Sequence, residues 1–262
     1  MKSTFHNFLK NVFLSATMLL PITNALSEEQ KVIQFGSDFW CPYTCDETTS
    51  QKKGYVVDMA EEIFAKHNIK FKYVVLPWAR VLKANEKGEL DAMGAAYKEG
   101  REDKYIFPKE DFGKSLNKFY VLKDNKWNYK DPESLKNITV GLTLGYVYGG
   151  EINTINKYAK QVVPAGGESV FEKNINKVLN KQIDATIEES IVANYTLKQI
   201  KLNDKVREAG SIGKKTGIYI GFPKVLPNSE KYAKMLSDGI IELKKTGRFK
   251  QILKKYDIKI EN

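Results

Sequence analysis

One arrangement occurs twice along this chain of 262 residues and restricts its possible folds more than any other feature. The segments 86–95 (EKGELDAMGA) and 179–188 (LNKQIDATIE) each run from a helix end through a turn into an Asp-Ala strand. The stretches before them alternate strand and helix in the same way. In the first block, Val32 to Gly36 is a short apolar strand. Gly54 then precedes a helix whose Val56, Met59, Ala60, Ile63 and Phe64 keep the i, i+3, i+4, i+7 spacing of one buried face. Ile69, Phe71, Tyr73 and Val75 alternate as a strand does. Pro77 opens a helix carrying Trp78 and Arg80 that should end at Gly88, and Leu90 to Ala95 reads as the next strand. In the second block, Ile138 to Leu142 is a strand, followed by a turn at Gly145-Tyr146. A helix from about Glu151 to Lys160, a short strand at Gln161 to Val163, a helix face on Phe171, Ile175, Val178 and Leu179, and a strand at Ile183 to Ile187 follow. Strand and helix in alternation predict a parallel α/β sheet. The tail holds two amphipathic helices: one on Tyr232, Met235, Leu236, Ile240 and Leu243, ended by Gly247, and one on Phe249, Ile252, Leu253 and Tyr256.

The repeat therefore predicts two similar α/β lobes. Lobe I takes 26–115 plus 217–262 and lobe II takes 116–216. Extended crossings are expected near 112–122 and 211–222, and bending near Ser115 and Thr216. A hydrophobic share of 42% with 11% aromatics is enough to fill two such cores and argues against disorder. Ligands of open α/β sheets sit beyond the carboxyl ends of strands, so two facing lobes place the expected site in the cleft between them.

The net charge of +10 invites a nucleic-acid reading that the rest of the sequence opposes. The positive residues are spread in doublets such as Lys52-Lys53 and Lys254-Lys255, and only Arg80, Arg101, Arg207 and Arg248 are arginine. Specific phosphate and base recognition favours the bidentate guanidinium, so no nucleic-acid partner is expected from a lysine-rich, solvated surface. An arginine beside a pocket motif stands out all the more.

The first twenty-five residues contain no acid. Lys2 and Lys10 precede an apolar stretch from Val12 to about Ile22, and Thr23-Asn24-Ala25 forms a small-x-small cleavage site. A signal peptide over 1–25, cleavage after Ala25 and export to the periplasm are predicted. Export would place Cys41 and Cys45 where they can pair as a disulfide. No metal site is expected: His67 is the one histidine beyond the signal segment, and two cysteines do not make a tetrathiolate centre. No cofactor motif is present.

The order of motifs resembles the type II periplasmic solute-binding proteins of ABC importers, in the family 3 group that includes histidine- and glutamine-binding proteins. An aromatic-x-Pro-aromatic loop appears as Trp40-Cys41-Pro42-Tyr43. A Gly-(Phe/Tyr)-x-x-Asp helix start appears as Gly54-Tyr55-Val56-Val57-Asp58. Gly88-Glu89-Leu90-Asp91 leads into a strand, Gly94 is followed seven residues on by Arg101, and Ser134-Leu135-Lys136 precedes Thr139-Val140-Gly141 and Gly145. WCPYxC at 40–45, PWxR at 77–80 and GYxYG at 145–149 are similar to a narrower subgroup.

The resemblance implies a two-lobe, type II fold and a small-molecule ligand. Arg101 would grip a ligand carboxylate, its alternative being a surface salt bridge with Glu99, Glu102 or Asp103. Trp40, Tyr43 and Trp78 would wall the ligand, their alternative being ordinary core packing. Glu189 would meet an α-amino group, with Glu188 an adjacent competitor. Gly145 and Tyr146 would supply a lobe-two loop, and Arg80 belongs to the PWxR pattern. Ala95-Ala96, together with Tyr146 and Val147, stand where hydroxyl residues are common, so an amino acid and another small organic anion both fit. The implied mechanism is capture by lobe closure and delivery to an ABC permease by a monomer. The rivals are an exported dehydratase or lyase, with Glu189 and Asp38 as its acids, and a sensor for a separate receptor.

Overall fold

The computed structural model describes Met1 and residues 30–258, so the segment expected to be a signal lies outside the described residues but for Met1. Among the described residues no helix is long and apolar enough to cross a membrane.

The chain begins with β1 (Lys31–Ser37), a one-turn helix α1 (Glu47–Ser50), α2 (Tyr55–Ala65), β2 (Ile69–Val75), α3 (Trp78–Glu86) and β3 (Ala92–Ala96). β4 (Tyr105–Ile106) and β5 (Lys114–Leu122) follow. Next come β6 (Thr139–Thr143), α4 (Ile152–Tyr158), β7 (Gln161–Ala165), α5 (Val170–Leu179), β8 (Ala185–Glu189) and α6 (Ser190–Gln199). β9 (Val206–Gly217), β10 (Tyr219–Pro223), α7 (Ser229–Lys245) and α8 (Arg248–Lys255) complete it.

Two five-stranded sheets result, ordered β2-β1-β3-β10-β4 and β7-β6-β8-β5-β9. The two Asp-Ala repeats do one job in both. Asp91 accepts the backbone N–H of Gln34 at 2.7 Å, and Asp184 accepts that of Thr139 at 2.8 Å. Each carboxylate thus ties the entry of one strand to its parallel neighbour, which explains why the same pair of residues recurs.

The parallel expectation holds for β2–β1–β3 and for β7–β6–β8. Each sheet also has antiparallel strands, β10 and β4 in the first and β5 and β9 in the second. The stretches at 112–122 and 211–222 are therefore largely strands within the sheets. β5 enters the second sheet from the first half of the molecule and β10 enters the first sheet from the second half, so the chain crosses between sheets twice. β5 and β9 pair where the chain changes sheets, with Ser115 opposite Thr216.

Apolar residues cover both faces of each sheet. Phe35, Phe64, Phe71 and Phe222 pack with Tyr232, Leu236 and Ile252 on one face of the first sheet, while Trp78, Val81 and Met93 pack on the other. In the second sheet Phe119, Val140 and Ile187 fill one face, and Tyr120, Phe171 and Ile175 the other. Helix α6, which periodicity did not predict, buries only Val192, Ala193 and Leu197.

The loop after β1 is held from three sides. The Cys41–Cys45 disulfide closes it, and the first N–H groups of α2, those of Tyr55 and Val56, donate to the carbonyls of Pro42 and Tyr43 at 3.0 and 3.2 Å. Trp40 and Thr44 also bridge in antiparallel fashion. Helix-start amides need such acceptors, and here the loop provides them. Closing so small a ring removes little chain entropy. The double variant Cys41→Ser/Cys45→Ser is accordingly expected to lose about 2 kcal/mol of unfolding free energy in denaturant titration. An unchanged midpoint would mean that the bonds to α2 hold the loop unaided.

Candidate functional site

The carboxyl ends of β1, β3 and β8 meet in one cleft, with the turn after β6 on the far wall. β1 delivers Asp38 and, two residues on, Trp40. The Trp40 ring stacks on Tyr43 with centroids 4.6 Å apart, and Tyr43 rests in turn on Tyr55 at the start of α2. Tyr43 is 1% exposed and stands behind Trp40 rather than at the cleft surface. β3 leads to Tyr97, whose hydroxyl lies 2.6 Å from Ser115 Oγ and donates to Asn117 Oδ1 at 3.2 Å, linking the first sheet to β5. Arg101 follows in the next turn, its Cζ 5.2 Å from the centre of the Trp78 ring.

On the opposite wall, the turn after β6 brings Gly145 against that indole. A Cβ at Gly145 would lie 3.2 Å from Trp78 Cδ1, and φ is +85°, so both the close approach and the backbone require glycine here. The Gly145 carbonyl accepts from Trp78 Nε1 at 3.1 Å and from Arg101 Nη2 at 2.7 Å. Tyr146 stands edge-on to Trp40 and to Trp78, and its hydroxyl donates to Asp38 Oδ2 at 3.2 Å.

The two glutamates at the end of β8 have different tasks. Glu188 Oε1 accepts the Trp40 indole N–H at 2.9 Å and the Glu189 amide at 2.8 Å. Glu189 turns to the N-terminus of α6, where its Oε2 accepts from Ile191 and Val192 at 2.8 and 2.9 Å. An acid there satisfies helix-start amides and suits the helix dipole. The expected position for an amino-group partner is thus committed to a helix cap, and its neighbour Glu188 is the acid that reaches Trp40. The carboxyl end of β8, where binding residues of α/β folds collect, is a signal that could have brought Glu188 forward, as the end of β1 could have for Asp38.

Burial sets the electrostatics. It raises Glu188 to about 8 and Asp38 to about 6, each only partly opposed by hydrogen bonds to the charged form. Burial also pulls the Arg101 pKa down. Arg101 is 8% exposed, so the surface salt-bridge alternative does not describe it, and its Nε has no hydrogen-bond partner among the described residues. Arg80 is exposed and lines neither of the cavities at this cleft.

A small cavity of about 20 Å³ lies between Asp38, Trp40, Trp78, Arg101 and Tyr146. A groove of about 1040 Å³ shares Asp38, Trp40 and Tyr146 with it and widens past Glu188 toward α5 and α6. Among the described residues no group of three or more His, Cys, Asp or Glu side chains is placed to hold a metal.

Comparison with known structures places this geometry. Holo ArgBP from T. maritima matches with a TM-score of 0.68 at 19% identity, over 81% of this chain and 90% of that one. AbpA from Streptococcus pneumoniae, an amino acid ABC transporter substrate-binding protein bound to L-arginine, matches with a TM-score of 0.71 at 17% identity, over 87% and 94%. A histidine kinase sensor domain similar to periplasmic binding proteins matches at 0.74 and 16%, over 87% and 96%. These likenesses give the type II periplasmic-binding fold. Among curated proteins no sequence match was found. The family model of the bacterial extracellular solute-binding proteins, family 3, aligns with residues 33–259, and by that match the chain belongs to this family.

Proposed function

We propose that the protein captures an amino-acid-class solute in the cleft between its two sheets and closes upon it. The observation that carries this reading is the convergence of Asp38, Glu188 and Arg101 on one aromatic-walled cleft whose sides come from both sheets. Two acids and one guanidinium complement a zwitterion, and the second acid favours a solute with an additional positive charge. A small organic anion fits this set less well. The partners of Asp38 and Glu188 are a hydroxyl, an indole and an amide, none of them charged, so a solute ammonium would favour the ionised form of both acids. Arg101 gives one donor to Gly145 and retains the buried Nε for a carboxylate.

Since the cleft walls belong to different sheets, a solute that touches both favours the closed arrangement. The bend falls where β5 and β9 pair at Ser115 and Thr216. We further propose export through the signal segment at 1–25 and delivery of the solute by a monomer to an ABC permease, without turnover. A sensory role would use the same closure, and the kinase sensor domain that shares the fold is the reason to test for it.

Isothermal titration with L-arginine, L-lysine, L-glutamine and L-glutamate tests the reading. Arg101→Ala should weaken binding at least about tenfold, or about 1.4 kcal/mol. Unchanged affinity would remove Arg101 from the site.

A further inference from the structure

The Gly145–Tyr146 turn meets the groups that a solute would use. Its hydroxyl takes Asp38, its carbonyl takes both Arg101 and the Trp78 indole N–H, and its ring stands between Trp40 and Trp78 at centroid distances of 6.3 and 6.1 Å. Acid, guanidinium, indole donor and both aromatic walls are thus engaged by two consecutive residues from the opposite sheet. What remains among them is a cavity of about 20 Å³, and one water needs roughly 10–15 Å³. No amino acid enters that space with Tyr146 in place. The turn is also well supported, because the Tyr146 amide donates to the Thr143 carbonyl at 3.1 Å and Gly145 adopts φ +85°.

We propose that Tyr146 is a tethered competitor: it occupies the inner solute subsite, so that solutes bind there by displacing it, and it thereby sets both the affinity and the size limit of the protein. This rests on the capture reading above and adds to it a specificity-determining residue. The exchange is balanced in kind. A solute ammonium replaces the phenol at Asp38, a solute carboxylate replaces the carbonyl at Arg101, and a side chain replaces the ring between the indoles. A residue that only walled the site would behave in the opposite way, since removing it would take contacts from the solute.

The test is titration of the full chain and of Tyr146→Ala and Tyr146→Phe with the twenty standard L-amino acids, with circular dichroism as the folding control. Tyr146→Ala should bind any solute of the wild type at least tenfold more tightly and should accept L-phenylalanine or L-tyrosine. Tyr146→Phe, which keeps the ring but loses the bond to Asp38, should show a smaller gain and covers the case in which the alanine variant does not fold. Equal or weaker binding by folded variants would overturn the proposal. If no amino acid binds any of the three proteins, the capture reading for amino acids fails, and X-ray scattering without added solute decides the role of Tyr146. A larger radius of gyration in Tyr146→Ala than in the wild type supports the tether, and identical radii overturn it.

Discussion

Raising the pH from about 5 to about 9 should lower the melting temperature of the folded chain, and Glu188 should account for most of the fall. Its carboxyl titrates near 8 in the fold against an ordinary value of 4.5, because burial beside Trp40 disfavours the charged form. A raised carboxyl means that the folded state holds a proton the unfolded chain has released. That contribution is therefore fully present below about pH 4.5 and is lost progressively as the pH rises toward 8. At about 1.4 kcal/mol per unit, the part of the shift that lies between pH 5 and about 8 corresponds to a loss on the order of 4 kcal/mol, or on the order of 10 °C for a chain of this size. Asp38 adds a loss of the same sign at lower pH, between 3.8 and about 6. Glu188→Gln keeps an acceptor for the indole N–H and removes that group's titration, so its melting temperature should fall distinctly less than the wild type's from pH 6 to pH 8, burial of the neighbouring Glu189 leaving a residual slope of the same sign. A wild-type melting temperature that climbs over this range, or a glutamine variant with the wild-type slope, would refute the assignment. The same protonation should tune the cleft, because a cationic solute favours ionised Glu188 and would tighten as the pH rises.

The second large effect is expected from one methyl group. Gly54→Ala should destabilise the chain by about 3 kcal/mol or more, as strained backbone and overpacking add together. Gly54 has φ +105°, and a Cβ there would lie 2.2 Å from the Tyr43 carbonyl oxygen and 2.6 Å from Thr44 Cα. Both are backbone atoms of the disulfide loop, so no side-chain rotation relieves the clash. The loop must shift, and it carries Trp40 away from Glu188, so solute binding should weaken along with stability. Gly247→Ala is the control. Its φ is +76° but nothing lies within 4 Å of the added carbon, so its cost should be limited to backbone strain, about 1 kcal/mol. Urea titration of both variants measures the difference. Equal losses would mean that the contact with the loop carries no weight.

Much of the secondary structure could be read from the sequence. Helix α2, strand β2 and both tail helices fall where apolar spacing and glycine stops place them, because these signals lie within a few residues of one another. The Asp-Ala repeat was legible as a pattern, although its cause, a carboxylate on a neighbouring strand's amide, spans 57 residues in one sheet and 45 in the other. Helix α6 escaped notice since its buried residues form no continuous stripe and its cap is a glutamate shared with the end of a strand. Strands β5 and β9 were read as crossings because their direction depends on which sheet receives them. At the cleft, Trp40, Trp78, Arg101, Gly145 and Tyr146 come together from their sequence neighbourhoods, whereas Arg80 stays exposed and Glu189 caps a helix.

By itself the sequence determined the alternation of strands and helices, the glycine turns and the order of motifs that marks the family. These follow from local spacing and backbone stereochemistry, which neighbouring residues settle among themselves. Only the tertiary structure decided that Glu188 rather than Glu189 meets Trp40, and that Gly145 and Tyr146 engage the acid and the guanidinium of the opposite wall. Adjacent glutamates at a strand end are chemically equivalent, and their difference arises from the direction each side chain takes and from the distant indole or helix start that direction finds.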